Sequence, residues 1–96
     1  MKVETYIDQH KHNNNSPSLN ALKELYSILS IESIYIEVGK DITYEYYSTR
    51  IAKNWGSTKP FVVIDGKPIG NAYQVIRKFI KEGLISSQDQ SGKLGA

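Results

Sequence analysis

The run Phe61-Val62-Val63-Ile64-Asp65-Gly66-Lys67-Pro68-Ile69-Gly70-Asn71 leaves the chain little choice of local structure. Phe61 to Ile64 is a short apolar, β-branched stretch, which suits a buried strand. Asp65-Gly66 is a tight-hairpin signal, because a type I′ turn requires positive φ at both central residues. Lys67 to Ile69 returns as a second short strand. Pro68 has no N–H to give to a ladder, so that strand belongs at a sheet edge. Gly70-Asn71 ends it, and Asn71 is a good N-cap. Ala72, Val75, Ile76, Phe79 and Ile80 then recur at helical spacing as one apolar stripe. Gly83 stands where a C-terminal cap belongs, and Lys78 and Lys81 complement the helix dipole.

The first half reads as strand, helix, strand, helix. Val3 to Ile7 is a strand, and Asp8 to Asn15 a polar loop. Ser16-Pro17 pairs a capping residue with proline at the first helical position. Leu19, Leu22, Leu25, Tyr26 and Leu29 form the stripe of that helix. Ile34-Tyr35-Ile36-Glu37-Val38 alternates, which predicts a strand over 33–38. Asp41 is the expected cap of a second helix running to about Trp55, with Tyr44, Tyr47, Ile51 and Trp55 on one face. The expected core centres on Leu22, Leu25, Ile34, Ile36, Val62, Val63, Ile64, Val75, Ile76 and Phe79.

The resulting order, βαβαββα, fits one compact α/β domain over 1–85. The first strand–helix–strand unit implies a right-handed parallel crossover. Residues 86–96 are polar and aperiodic and read as a disordered C-terminal tail. No apolar run is long enough to span a membrane, and no signal-peptide pattern occurs. The chain has no cysteine, which excludes a disulfide framework and makes the cytoplasm the expected setting.

The pattern resembles the glutaredoxin branch of the thioredoxin fold over roughly residues 2–84. Thr58-Lys59-Pro60 matches the family's Thr-Val-Pro, which carries a cis-proline facing the redox motif. The hairpin and Ile69-Gly70-Asn71 resemble the family's Ile-Gly-Gly before the last helix. The resemblance implies a thioredoxin-like, four-stranded mixed sheet with three helices, and a cis Lys59–Pro60 bond. The redox motif, usually Cys-Pro-Tyr-Cys, falls on Ser16-Pro17-Ser18-Leu19. Pro17 is in register, the nucleophilic cysteine maps to Ser16, and the resolving cysteine maps to Leu19.

The family's role is glutathione-linked thiol-disulfide oxidoreduction. That exchange needs a thiolate attacking sulfur, and a helix N-terminus stabilises the thiolate. A serine hydroxyl titrates far above a thiol and offers no sulfur, so the chain as written is inactive in this chemistry. Two readings stand. Ser16 takes the place of a cysteine, and Cys-Pro-Ser-Leu would then be a monothiol oxidoreductase. Alternatively the scaffold has lost redox chemistry and is a non-catalytic protein-binding or regulatory module reusing the glutaredoxin groove.

That groove is expected at Ser16, Pro17, Thr58, Lys59, Pro60, Gly70 and Asn71, the surface on which the family holds an extended peptide. The backbone of Lys59 would pair with such a ligand. The family's aspartate for the glutamyl amino group falls on Tyr73 or Gln74, both uncharged. Lys11, Arg50, Lys53 or Lys59 could meet the carboxylates. No cofactor is expected, and glutathione binding should be weak at most. His10 and His12 could ligate a metal, but with no cysteine or helically spaced acid beside them they read as a solvated loop, and no metal site is expected. Tyr44, Tyr46, Tyr47 and Trp55 near Arg50, Lys53 and Lys59 could suggest nucleic acid. A net charge of +2 is low for that role, so the rings are read as packing. Arg77, Lys78 and Lys81 read as the solvated face of the last helix.

Overall fold

A computed structural model of the protein describes residues 1–8, 16–53 and 59–85. Its elements are β1 (Val3–Asp8), α1 (Pro17–Ile28), β2 (Ser33–Val38), α2 (Tyr44–Tyr46), β3 (Phe61–Ile64), β4 (Lys67–Gly70) and α3 (Ala72–Lys81). The sheet order is β2-β1-β3-β4. β1 pairs parallel with β2 and antiparallel with β3, and β3 pairs antiparallel with β4. This is the mixed four-stranded sheet that the sequence implied. Residues 86–96, read as a tail, lie outside the described residues.

The hairpin forms for the reason its sequence suggests. Asp65 and Gly66 both take positive φ, at 51° and 81°. For Gly66 this costs little, since it has no Cβ. The Asp65 carboxylate also accepts from the Lys2 N–H at 2.7 Å, and the Asp65 N–H donates to the Lys2 carbonyl at 2.8 Å. The turn therefore holds the start of β1. β4 is an edge strand, as Pro68 requires.

Strand pleating divides the core into two layers. Val3, Val62 and Ile64 face α1 and α3, where Leu22, Leu25, Tyr26, Val75 and Phe79 close over them. Tyr6, Phe61 and Val63 face the other way, against Val38, Tyr47 and Ala52. Each such side chain contributes roughly 1.5–3 kcal/mol on full burial. Tyr47 forms an edge-to-face contact with Phe61, ring centroids 6.1 Å apart.

Two expectations need correction. Ile34 is not a core residue, being 52% exposed. It lies on the edge strand, level with Glu4 of β1, whereas the second core layer gathers around Tyr6 and Val38. Ile36, two residues further on, is partly covered by that layer. The second helix is also shorter and starts later. Its cap is Thr43, whose hydroxyl accepts from the Tyr46 N–H at 3.0 Å. Asp41 instead accepts from the Glu37 N–H at 2.9 Å, closing the turn after β2. After Tyr46 the chain continues as a π-helical turn (Tyr47–Ile51), with the Ala52 N–H reaching the Tyr47 carbonyl. Trp55, the expected end of this helix, lies outside the described residues.

Among the described residues, one polar residue of the core is buried without an apolar body of its own. Thr5 is wholly buried on β1, and its hydroxyl is hydrogen-bonded to the Tyr26 hydroxyl of α1 and to the Ser33 hydroxyl of β2, each at 2.8 Å. Three elements are thus tied by a satisfied network, which suits a low-dielectric interior. Burial holds the Tyr26 phenol at about 12, above the ordinary 10.0.

Because the folded value lies above the unfolded one, Tyr26 stabilises the fold below pH 10.0, and that contribution is lost as pH rises toward 12. Its full size is on the order of 2 kcal/mol. Tyr26→Phe should cost about 1 kcal/mol at neutral pH. It should also flatten the decline of stability above pH 10. Urea unfolding from neutral to alkaline pH checks both, and an unchanged alkaline slope in the variant would contradict the assignment.

Candidate functional site

Strand direction brings the singled-out residues to one end of the sheet. β1 ends at Asp8, and β3 runs antiparallel to it with Tyr6 opposite Phe61, so Lys59-Pro60 arrives beside that end. β4 returns to the same end, with Gly70 opposite Val62. α1 is the crossover from β1 to β2, and β2 restarts with Ser33 level with Val3. The helix must therefore begin at Asp8's end of the sheet, which brings Ser16 there. Thr58 lies outside the described residues, as do Lys11, His10 and His12.

Ser16 is the N-cap of α1. Its backbone is extended, Pro17 follows at the first helical position, and its hydroxyl accepts from the Leu19 N–H at 3.1 Å. The hydroxyl is thereby used in ending the helix. Leu19, onto which the resemblance maps a resolving cysteine, is 1% exposed and part of the core.

The Lys59–Pro60 peptide bond is cis, and Pro60 is buried. On the neighbouring strand Gly70 is buried with φ 126°, a conformation that L side chains rarely adopt. Asn71 and Gln74 form a reciprocal capping box at the start of α3. The Asn71 side chain accepts from the Gln74 N–H at 3.0 Å, and the Gln74 side chain accepts from the Asn71 N–H at 2.8 Å. Gln74 is therefore spent on the cap. Tyr73 points outward, 63% exposed, with the Arg77 guanidinium over its ring. Neither side chain supplies a negative charge for a ligand's ammonium group.

Among the cations considered for ligand carboxylates, Lys59 is otherwise engaged. Its side chain is only 7% exposed, and its ammonium lies 3.6 Å from the Asp8 carboxylate. The rings of Tyr47 and Tyr44 flank it, at 5.0 and 5.6 Å from their centroids. The Tyr44 hydroxyl donates to the same Asp8 oxygen at 3.4 Å. A desolvated ammonium needs such compensation, and ring faces with a carboxylate provide it. Desolvation first, and then the Asp8 charge, push the Tyr44 and Tyr47 phenols up. Arg50 and Lys53 are exposed.

This cage joins the end of β1, α2 and the residue before the cis bond. The sequence marks it faintly: Tyr44 and Tyr47 are one helical turn apart, and Asp8 is the first charge after the apolar end of β1. Among the described residues, no group of three or more His, Cys, Asp or Glu could hold a metal ion, and no helix is long and apolar enough to cross a membrane.

A double-mutant cycle tests the cage. Asp8→Asn leaves a poorly solvated ammonium and should destabilise by about 1–2 kcal/mol. Lys59→Met should be milder, because the carboxylate is the better-solvated partner. The coupling between them should be about 1 kcal/mol. Coupling indistinguishable from zero in chemical unfolding would mean the two charges are merely neighbours.

No family model and no curated protein matches the sequence. The solved structure of reduced Escherichia coli glutaredoxin does match the fold, with a TM-score of 0.63 at 20% sequence identity, over 88% of this chain and 98% of that one. Together with the sheet order and helix placement described above, this gives the chain the glutaredoxin-like form of the thioredoxin fold, on a sequence without cysteine.

Proposed function

We propose that this chain is a non-catalytic, glutaredoxin-like binding module whose groove holds an extended peptide. The observation that carries the reading is Ser16, whose hydroxyl caps α1 where the fold's redox chemistry would need a thiolate. An alkoxide is not accessible there at neutral pH, and the chain has no thiol anywhere to take part in an exchange. The groove comprises Ser16, Pro17, Lys59, Pro60, Gly70 and Asn71, within a single domain over 1–85. An extended ligand would lie along the Lys59–Pro60 turn in β fashion. The capping of Asn71 by Gln74 and the caged Lys59 hold the two walls in place, which lowers the ordering cost of binding.

Glutathione is the small ligand that the fold likeness suggests, and a protein segment is the larger one. The neutral Tyr73 and Gln74 remove the expected partner of a glutamyl ammonium, and Lys59 is turned to Asp8. Both features favour weak glutathione binding and a protein partner. A cytosolic setting accords with the absence of cysteine. A second reading is favoured by the position of Ser16 at a helix N-terminus. A cysteine there would gain a depressed pKa and restore a monothiol oxidoreductase.

The protein should be inactive in a glutathione-coupled disulfide reduction assay. Ser16→Cys should create a thiol whose alkylation rate against pH reports a pKa below that of free cysteine. Titration with glutathione, followed by amide shifts, should perturb Ser16, Lys59, Gly70 and Asn71 with a Kd of roughly millimolar order. Shifts confined to other surfaces would sink the groove assignment. Measurable turnover by the unaltered chain would sink the non-catalytic reading.

A further inference from the structure

We infer that the groove between α3 and the β4 edge docks an acidic, amphipathic helix of a partner protein. The groove measures about 620 Å³, with an apolar floor of Pro68 and Ile69 from β4 and Ile80 from α3. That volume admits several side chains. Arg77, Lys78 and Lys81 line its walls, and none of the lining residues carries a carboxylate. In a chain of net charge +2, three cations along one groove are a local concentration that calls for an anionic partner. Lys78 shares its charge with Glu82 at 2.6 Å, so Arg77 and Lys81 are the stronger anchors.

Arg77 is held ready. Its guanidinium lies over the Tyr73 ring at 5.5 Å and donates to the Tyr73 hydroxyl at 3.5 Å. Arg77 and Lys81 are four apart on one helix, so they match carboxylates spaced i, i+4 on a facing helix, roughly 5–6 Å apart. An apolar side chain between those carboxylates would reach Ile69 and Ile80. A partner strand is disfavoured, because Pro68 removes a ladder donor from the edge it would join. Nucleic acid is disfavoured because the floor is aliphatic and offers no ring on which a base could stack. The docking surface runs along α3 from Gln74 to Lys81, so it reaches the Asn71 capping box but includes neither Ser16 nor Lys59.

The probe is a synthetic helical peptide of about 15 residues, a length at which a helix holds in isolation. It carries Glu at i and i+4 with Leu on the same face. Binding is followed by fluorescence anisotropy and by amide shifts of the full chain. Saturable binding should shift Ile69, Arg77, Ile80 and Lys81. The double charge reversal Arg77→Glu, Lys81→Glu should weaken it roughly tenfold or more. The matched reversal Lys23→Glu, Lys40→Glu on other exposed surfaces should leave it within about twofold. Circular dichroism of each variant establishes that it is folded. Any of the following outcomes overturns the inference. They are no saturable binding, equal binding of a peptide whose leucines are scrambled off the acidic face, and tighter binding of a single-stranded oligothymidine. Shifts at Ser16 and Lys59 instead would also overturn it, by assigning the peptide to the other groove.

Discussion

β1 is hydrogen-bonded along both edges and covered on both faces, and the rest of the molecule takes its position from it. On one side it sets the parallel register of β2, on the other the antiparallel register of β3. A six-residue strand so enclosed cannot slip by one residue without turning its apolar side chains to the wrong layer. The Thr5 hydroxyl adds a directional constraint that apolar packing lacks. It is bonded to Tyr26 above the sheet and to Ser33 beside it, so helix, strand and neighbour strand share one alignment. Polar groups inside a core often serve specificity of arrangement more than net stability, and this network has that form.

The same strand delivers Asp8 to the sheet end where the candidate site lies. There the electrostatics are local and closed: one ammonium, one carboxylate and two phenol rings. Such a cluster contributes rigidity to the residue before the cis bond while presenting little charge to a ligand. The serine cap of α1 fixes the helix start in a similar way, since one lone pair of its hydroxyl accepts from the Leu19 N–H. Both ends of the proposed groove are thereby held by contacts within the chain.

Much of the fold was legible from local chemistry. Asp65-Gly66, Asn71 and Ser16-Pro17 act through their own backbones, so turn and caps appear where those residues stand. Pro68 likewise identified an edge. Ile34 was misread because alternation reports which face a residue occupies, not whether another layer reaches it. Asp41 was misread as a helix cap because a carboxylate can satisfy either the helix start or the preceding turn, and only the turn beside Glu37 was in reach. The Lys59 cage was hidden because its members are distant in sequence and meet only through the antiparallel pairing of β1 with β3. Ser16, Lys59, Pro60, Gly70 and Asn71 were read as neighbours through a family resemblance, and the strand directions supply the physical reason for bringing them to one end.

The two outer strands have a consequence for how the molecule behaves in a crowded solution. An open sheet offers each passing chain a row of unused donors and acceptors, and association follows when that row is long and regular. At β4 the row is broken by Pro68. At β2 it is shortened by the turn that follows: the Glu37 N–H is taken by Asp41, and the Glu37 carbonyl by the amides of Lys40 and Asp41. Among the described residues, the first half of β2, around Tyr35, carries no such interruption. Short strands, Pro68 and the Asp41 turn thus shorten the regular edge that templated growth would need.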